Sequence, residues 1–366
     1  MSIISEILRD AVAQGASDVH LKANQRPFFR IKGALADSGY EQIPADVLRA
    51  IVAEVAPPHA REAVERGRET DFSYHEQGIG RFRVAFFMGC GLPALTLRVV
   101  KNRVPTLEEL RLPPQIERFA SFGRGVVVVA GATGCGKSST LAAILQLVNE
   151  RCQRRVVTIE DPIEYLFEDK KSVFTQREVG LDTESFSTGL HYVLRQNPDV
   201  ILIGEMRDAE TIKTALLAAE TGHLVFTTLH SVTAAQALPR LLNEIPKTDH
   251  AQVQASLAEN LQAVICQRLL TDVDGYRIPA VEILLNTPTV KKLLQQGKFE
   301  LLQSAIEGGI EEDMQSFDQA LHVLVNEKIV SPKNALAAAT NPEQFAMLLK
   351  GIKVEDSRRI LSSGAT

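Results

Sequence analysis

Tryptophan is absent from these 366 residues, aromatic side chains make up only 5%, and acids outnumber bases, 45 Asp and Glu against 40 Lys and Arg. A nucleic-acid binder needs stacking rings and basic stripes, so whole-chain composition disfavours that class and leaves only a local basic patch open. Cysteine is scarce too. Cys90, Cys135, Cys152 and Cys266 stand far apart with no Cys-x-x-Cys pair, which argues against a zinc ribbon or a disulfide framework and for a reducing compartment. No stretch approaches the roughly eighteen uninterrupted apolar residues of a membrane span. The chain opens on a helical pattern containing Glu6, Arg9 and Asp10 rather than a basic start and an apolar run, so a soluble cytoplasmic protein is expected. Hydrophobic residues are nonetheless 45% of the chain, ample for two or three domains at this length.

One stretch organises the rest. Gly131-Ala-Thr-Gly-Cys-Gly-Lys-Ser138 follows the apolar run Gly125-Val-Val-Val-Val-Ala130 and precedes Ser139-Thr-Leu-Ala-Ala-Ile-Leu, which reads as strand, glycine-rich turn and helix. Gly131, Gly134 and Gly136 allow the backbone through Ala132, Thr133 and Cys135 to curl until several N–H groups face one concavity at a positive helix end. Polyphosphate fits there, with Lys137 reaching the outer phosphates and the Ser138 hydroxyl, followed by Ser139, placed for Mg²⁺. A polyphosphate with Mg²⁺ is the expected ligand.

Residues 1–100 read as a small α/β domain. Ile3, Ile4, Ile7, Leu8 and Val12 recur at helical spacing, and Gly15 is placed to end that helix. Strands are expected at residues 18–22, 28–32, 71–75, 81–88 and 93–100, with a helical pattern over 45–66 and a hairpin turn at Gln77-Gly-Ile-Gly80. Arg81 and Arg83 share one face of their strand, a pattern usual for a solvated face. Residues 101–114, with Pro105, Pro113 and Pro114 around a short helical piece at 107–110, form the expected connection. From 115 to 350 strands alternate with helices: the glycine-loop unit, then strands at 155–159, 200–203 and 224–229. Such alternation predicts a largely parallel sheet with sites at the carboxyl ends of its strands. Helices are expected at 251–270 and 317–326, and a polar frayed tail from 351 or so to 366.

Phosphoanhydride hydrolysis requires a carboxylate to direct water, an acid near the metal and a group to sense the γ-phosphate. Three strand ends offer them. Glu164, on a turn stiffened by Pro162, is the candidate base; Glu205 directly follows an apolar strand and would hold Mg²⁺ through its waters; His230 would contact the γ-phosphate. His223, beside Gly222, reads either as a nucleotide-side residue or as a helix cap or interface residue.

These segments resemble the traffic ATPases of the secretion superfamily. Val157-Thr-Ile-Glu-Asp-Pro-Ile-Glu-Tyr165 is similar to the family's Asp box, Ile203-Gly-Glu-Met-Arg-Asp208 to its Walker B segment, and Gly222-His-Leu-Val-Phe-Thr-Thr-Leu-His230 to its His box. Gln176-Arg-Glu-Val-Gly180 and Leu194-Arg-Gln-Asn-Pro-Asp-Val200 narrow the resemblance to the type IV pilus retraction ATPases, PilT and PilU, and it runs from residue 1 to about 350. Gly131-Ala-Thr-Gly134, Gly78-Ile-Gly-Arg-Phe-Arg83, Asn286-Thr-Pro288 and Met314-Gln-Ser-Phe-Asp-Gln-Ala-Leu321 are closer to PilU; Gly204-Glu-Met-Arg-Asp208 and Ala218-Ala-Glu-Thr-Gly-His223 are closer to PilT.

The resemblance implies ATP as the polyphosphate, a PAS-like amino-terminal domain, a RecA-like P-loop ATPase domain with a helical carboxyl-terminal extension, and a homohexameric ring that drives pilus disassembly through an inner-membrane platform protein. It matches Glu164 to the catalytic glutamate, Glu205 to the Walker B glutamate and His223 and His230 to the His box. It also implies that arginines of the amino-terminal domain reach nucleotide, for which Arg83 and Arg98 are the candidates; Arg195 and Arg207 are weaker ones for the subunit interface. PilT's alanine-isoleucine-arginine segment is replaced here by Thr289-Val-Lys-Lys-Leu-Leu-Gln-Gln-Gly297, which argues against autonomous PilT-type retraction and leaves open a PilU-like accessory motor with a PilT-like partner. The assembly ATPases of the superfamily carry a zinc-binding cysteine cluster and longer amino-terminal regions, neither of which is expected here, so an extension motor is disfavoured. An ATP-binding adaptor with poor turnover and a nucleic-acid translocase are the competing readings; the intact Glu164 and Glu205 weigh against the first, and composition against the second.

Overall fold

Ser2 caps the first helix by accepting from the Ser5 amide, and α1 (Ile3–Ala13) buries its Ile4, Ile7, Leu8 and Ala11 stripe before Gly15, at φ 70, turns the chain into a strand. The computed structural model describes residues 2–100 and 103–352. After α1 come β1 (Ala16–Lys22), β2 (Phe28–Ile31), β3 (Ala34–Asp37), α2 (Ala45–Val55), α3 (Pro58–Glu65), β4 (Thr70–Glu76), β5 (Gly80–Gly89) and β6 (Leu92–Val99). The six strands form an antiparallel sheet in the order β3-β2-β1-β6-β5-β4. Its core joins Ile7 and Leu8 of α1, Leu48 and Val52 of α2, and Phe29, Phe82, Val84 and Leu97 of the strands. The helical pattern expected over 45–66 is two helices, because Pro57 has no N–H to continue α2 and Pro58 instead opens α3. Strand β3 was not anticipated; its four residues carry too short a pattern to stand out.

The second sheet contains β7 (Gly125–Gly131), β8 (Arg155–Glu160), β9 (Val173–Glu178), β10 (Val200–Ile203), β11 (Leu224–Leu229), β12 (Leu261–Thr271) and β13 (Arg277–Leu285). Its order is β13-β12-β7-β11-β10-β8-β9, with β12, β7, β11, β10 and β8 parallel and β13 antiparallel to β12. Every residue of β7, β10 and β11 is buried, as strands covered on both faces require. The helices are α4 (Lys137–Arg151), α5 (Phe186–Val193), α6 (Ala209–Glu220), α7 (Ala234–Asn243) and α8 (His250–Asn260), followed by α9 (Pro288–Gln295), α10 (Leu302–Gly308), α11 (Phe317–Asn326), α12 (Pro332–Ala338) and α13 (Pro342–Leu349).

The helix expected over 251–270 ends at Asn260. From Leu261 the chain is β12, where Ala263, Val264 and Ile265 pair with Val127, Val128 and Val129 of β7; a neighbouring strand with unpaired backbone outweighs helical periodicity. The piece expected at 107–110 is a single turn closed reciprocally, Glu109 N–H to Thr106 Oγ1 and Thr106 N–H to the Glu109 carboxylate. Lys101 and Asn102 of the expected connection, and the tail from Lys353, lie outside the described residues.

The chain divides into two units. One is Met1–Val104 with Glu160–Glu168 and Gln176–Ser185; the other is Pro105–Ile159, Asp169–Thr175 and Phe186–Thr366.

Candidate active site

In the second unit the glycine loop joins the carboxyl end of β7 to α4. Gly131 has φ 146 and no room for a side chain: a Cβ there would come within 2.5 Å of Cys135 Sγ and 2.7 Å of the Gln267 carbonyl oxygen. Gly136, at φ 96, takes the N-cap position of α4 in a conformation that a larger residue would strain. Ala132, Thr133 and Gly134 are exposed at the crest, while Cys135 is buried beneath it. Burial raises the Cys135 thiol above its ordinary value, against the pull of Lys137. Lys137 begins α4, and its Nζ donates to the carbonyls of Gly131 at 3.0 Å and Ala132 at 3.2 Å. Ser138 and Ser139 follow in the first helical turn, half-buried. The arrangement is a glycine-rich cradle at a helix N-terminus, with a lysine cation and a serine hydroxyl beside it.

On the adjoining strands, β11 beside β7 delivers His230 and β10 beyond it delivers Glu205. Their side chains meet, His230 Nε2 lying 3.4 Å from Glu205 Oε1, and the other carboxylate oxygen takes Arg207 at 2.6 Å. Arg207 therefore belongs to the Glu205 cluster. Thr228 Oγ1 donates to the Gly204 carbonyl at 2.6 Å and locks the two strand ends together. His223 stands at the other end of β11, the end paired with Gly125 rather than with the glycine loop; its Nδ1 lies 2.8 Å from the Ala218 carbonyl and 3.2 Å from Thr221 Oγ1. Within this unit His223 caps α6 and does not join Lys137. Arg195 is exposed near His191, at 3.5 Å.

Glu164 belongs to the first unit. It is exposed between buried Ile163 and Tyr165, on a segment pinned at both ends. Ile163 N–H donates to Glu178 Oε2 at 3.0 Å; Gln176 Nε2 donates to the Tyr165 carbonyl at 2.8 Å and to Glu160 Oε1 at 3.2 Å; and Phe167 N–H donates to Gln176 Oε1 at 3.0 Å. Arg83 and Arg98 are directly opposite one another on β5 and β6. Both line a cavity of about 590 Å³ whose wall includes Asp71, Thr96, Asp161 and Pro162. Arg98 is held by Nε donating to Asp18 Oδ1 at 2.8 Å, with much of its guanidinium still exposed.

Sequence reasoning missed three residues here. Arg81, read as a solvated charge, is only 14% exposed and donates to Glu178 Oε2 at 2.8 Å. Glu178 thereby joins β5 to the turn before Glu164. The third is Gln267 of β12, whose Nε2 donates to Thr140 Oγ1 of α4 at 2.8 Å. Glu178 lay inside the segment Gln176-Arg-Glu-Val-Gly180 that carried the family resemblance, which was the available signal; nothing local distinguished Gln267.

The family described as type II/IV secretion system protein matches residues 1–297. PilT of Pseudomonas aeruginosa, a type IV pilus retraction ATPase, is 41% identical over 93% of this chain and 99% of its own length. The same organism's type IV pilus ATPase PilU is 38% identical over 94% and 91%. Among solved structures, the pilus retraction motor PilT with bound ADP superimposes with a TM-score of 0.86 at 37% identity, covering 94% of this chain and 98% of that one. The Legionella pneumophila ATPase DotB gives 0.81 at 27% identity over 96% of both chains. With the glycine-loop cradle, the paired acid and histidine, and near end-to-end similarity, the chain belongs to the type II/IV secretion system ATPases, among the PilT and PilU pilus motors.

Proposed function

We propose that this chain is an ATP-hydrolysing motor that works as a homohexamer at the cytoplasmic face of the inner membrane, where it powers type IV pilus retraction through a platform protein. The observation that carries the reading is the gathering of Lys137 after β7, Glu205 after β10 and His230 after β11 at the carboxyl ends of three neighbouring strands, backed by similarity along nearly the whole chain. The loop amides and Lys137 hold the polyphosphate, Lys137 exchanging its two carbonyl partners for phosphate oxygens. Ser138 and Glu205 offer hard oxygen donors of the kind Mg²⁺ takes, Glu205 through water; the cation supplies neutralisation of phosphate charge when bound. His230, oriented by Glu205, senses the γ-phosphate. Glu164 directs the attacking water and accepts its proton. Arg83 and Arg98 steady the nucleotide.

The residues 289–297 on and beside α9 favour an accessory motor that retracts best beside a PilT-like partner. Phosphate release by the purified protein, with pilus retraction in a deletion strain supplied with this gene alone or with a PilT-like partner, tests both levels. Turnover with retraction mainly in the paired strain is expected. Absent turnover defeats the motor reading, and equal retraction in both strains defeats the accessory one.

A further inference from the structure

Four residues after His230, α7 begins, and the backbone from Ser231 to Ala234 is held from β12 and β13 at three points. Cys266 Sγ donates to the Ser231 carbonyl at 3.4 Å, Arg268 Nη2 to the Val232 carbonyl at 3.2 Å, and the Ala234 amide donates to Glu282 Oε1 at 2.7 Å. Cys266 and Glu282 are directly paired across the two strands, and Arg268 is two residues along. Arg268 also holds the carboxyl-terminal helices. Arg268 Nη1 donates to the carbonyl of Ala338, the last residue of α12, at 2.6 Å, and its guanidinium carbon lies 3.9 Å from the ring centroid of Phe317, the first residue of α11. Glu282 is fully buried; burial raises its carboxyl above the ordinary value, opposed by the Ala234 and Phe317 amides and by Arg268 and Gln303. Strand β13 fixes the approach to α11 as well, Ile283 and Gln315 exchanging backbone bonds at 2.7 and 3.1 Å.

A planar guanidinium reaches two separated carbonyls from different nitrogens while its flat face lies on a ring, a geometry that a compact ammonium does not reproduce. Nothing in the hydrolytic chemistry explains such a bridge. We propose that Arg268 and Glu282 are positioning residues that fix the loop after His230 and tie it to α11 and α12, so that the γ-phosphate sensor and the helical extension respond to nucleotide as one linked element. This rests on the reading of His230 as part of the ATP site.

The test uses the full-length protein with a non-hydrolysable ATP analogue and hydrogen exchange of the amides at 317–320 and 336–340. The parent should show slower exchange there when nucleotide binds. Arg268→Lys, checked for native circular dichroism, should lose at least half of that protection and lower kcat by about 10- to 10²-fold, the scale of a misplaced catalytic group, with KM within about threefold. Glu282→Gln, which keeps a carbonyl oxygen for Ala234, should retain most of kcat, and Glu282→Ala should not. No nucleotide-dependent protection in the parent, or the same protection in Arg268→Lys, overturns the proposal. So does a KM that rises more than kcat falls, since Arg268 also lines a cavity of about 390 Å³ with Ala132, Thr133 and Gly134 and would then be touching nucleotide itself. Should Glu282→Ala fail to fold, Arg268→Lys decides alone. Normal turnover by His230→Ala would defeat the underlying reading of the site, whereas the protection pattern bears on the linkage separately.

Discussion

The two units present their functional residues by different means. In the second, each candidate group stands past the end of a buried parallel strand, so backbone order alone brings Lys137, Glu205 and His230 to the carboxyl ends of neighbouring strands. In the first, Glu164 sits on a segment without regular structure, and its surroundings come from side chains distant in sequence: Gln176 on both sides of the turn, and Glu178 with Arg81 beneath it. One construction is robust to side-chain change outside the reacting groups. The other depends on a few long-range polar contacts, and the substitutions below probe that difference.

The largest effect is expected in the strand-built unit. Lys137→Ala removes the loop's cation without disturbing β7, all of whose residues are buried, and should reduce phosphate release to background while leaving thermal unfolding within about 2 °C of the parent, as a surface truncation would. Near-normal turnover by the folded variant would refute the role given to the glycine loop.

Next comes the pair of acids. Glu164→Gln retains shape and loses the charge that the proposed base role requires, so turnover should fall about 10²- to 10⁴-fold with ATP affinity little changed. Glu205→Gln should alter the Mg²⁺ dependence as well as the rate, and it also weakens the tie to Arg207 and His230. Measuring affinity, turnover and Mg²⁺ titration for both separates the roles. A Glu164→Gln protein with parental rate beside a Glu205→Gln protein that binds ATP normally and is inactive would reverse them.

A smaller loss tests the side-chain-built turn directly. Arg81→Met leaves the almost fully buried Glu178 without its cation, and breaking a buried pair typically costs about 3–5 kcal/mol. The expected signs are a lowered melting temperature and a reduced kcat, because Ile163 loses its fixed acceptor just before Glu164. Unchanged stability and kcat would show that the turn holds its form without the pair.

The same contrast explains what could be read in the sequence. The glycine loop and the strands β8, β10 and β11 are local patterns with fixed spacing, and so were visible, as was α11 with Ser316 and Gln319 closing a capping box. Strand β12 was hidden because α8 runs into it without a glycine or proline, and only the neighbouring β7 decides its conformation. Arg81 looked solvated because its alternation with Phe82 says nothing about what faces it, 97 residues further along. His223 lies in a family motif, yet motif membership did not reveal which end of β11 it occupies.

The mildest prediction concerns Asp18, which is buried and receives Arg98 Nε at 2.8 Å and the Ser17 hydroxyl at 2.8 Å. Burial alone would raise its carboxyl, but the bonds from Arg98 and Ser17 outweigh it and hold the group below the ordinary 3.8. A carboxyl whose folded value is depressed stabilises the fold at pH above its unfolded value, and that contribution disappears as acidification carries the pH down through the folded value. Asp18→Asn should therefore be less stable than the parent near neutral pH, with the gap closing in acid. Because Arg98 is 66% exposed, solvent screens the pair and the gap should be only about 1 kcal/mol. Released from Asp18, Arg98 should also sample more orientations, so a twofold to fivefold loss of turnover, on the order of 0.5–1 kcal/mol, should accompany it at neutral pH. Urea unfolding of parent and Asp18→Asn at a series of pH values between about 3 and 7 measures the gap. A separation that stays constant into acid would mean that the carboxylate charge contributes nothing, and that Asp18 serves the fold only through its shape.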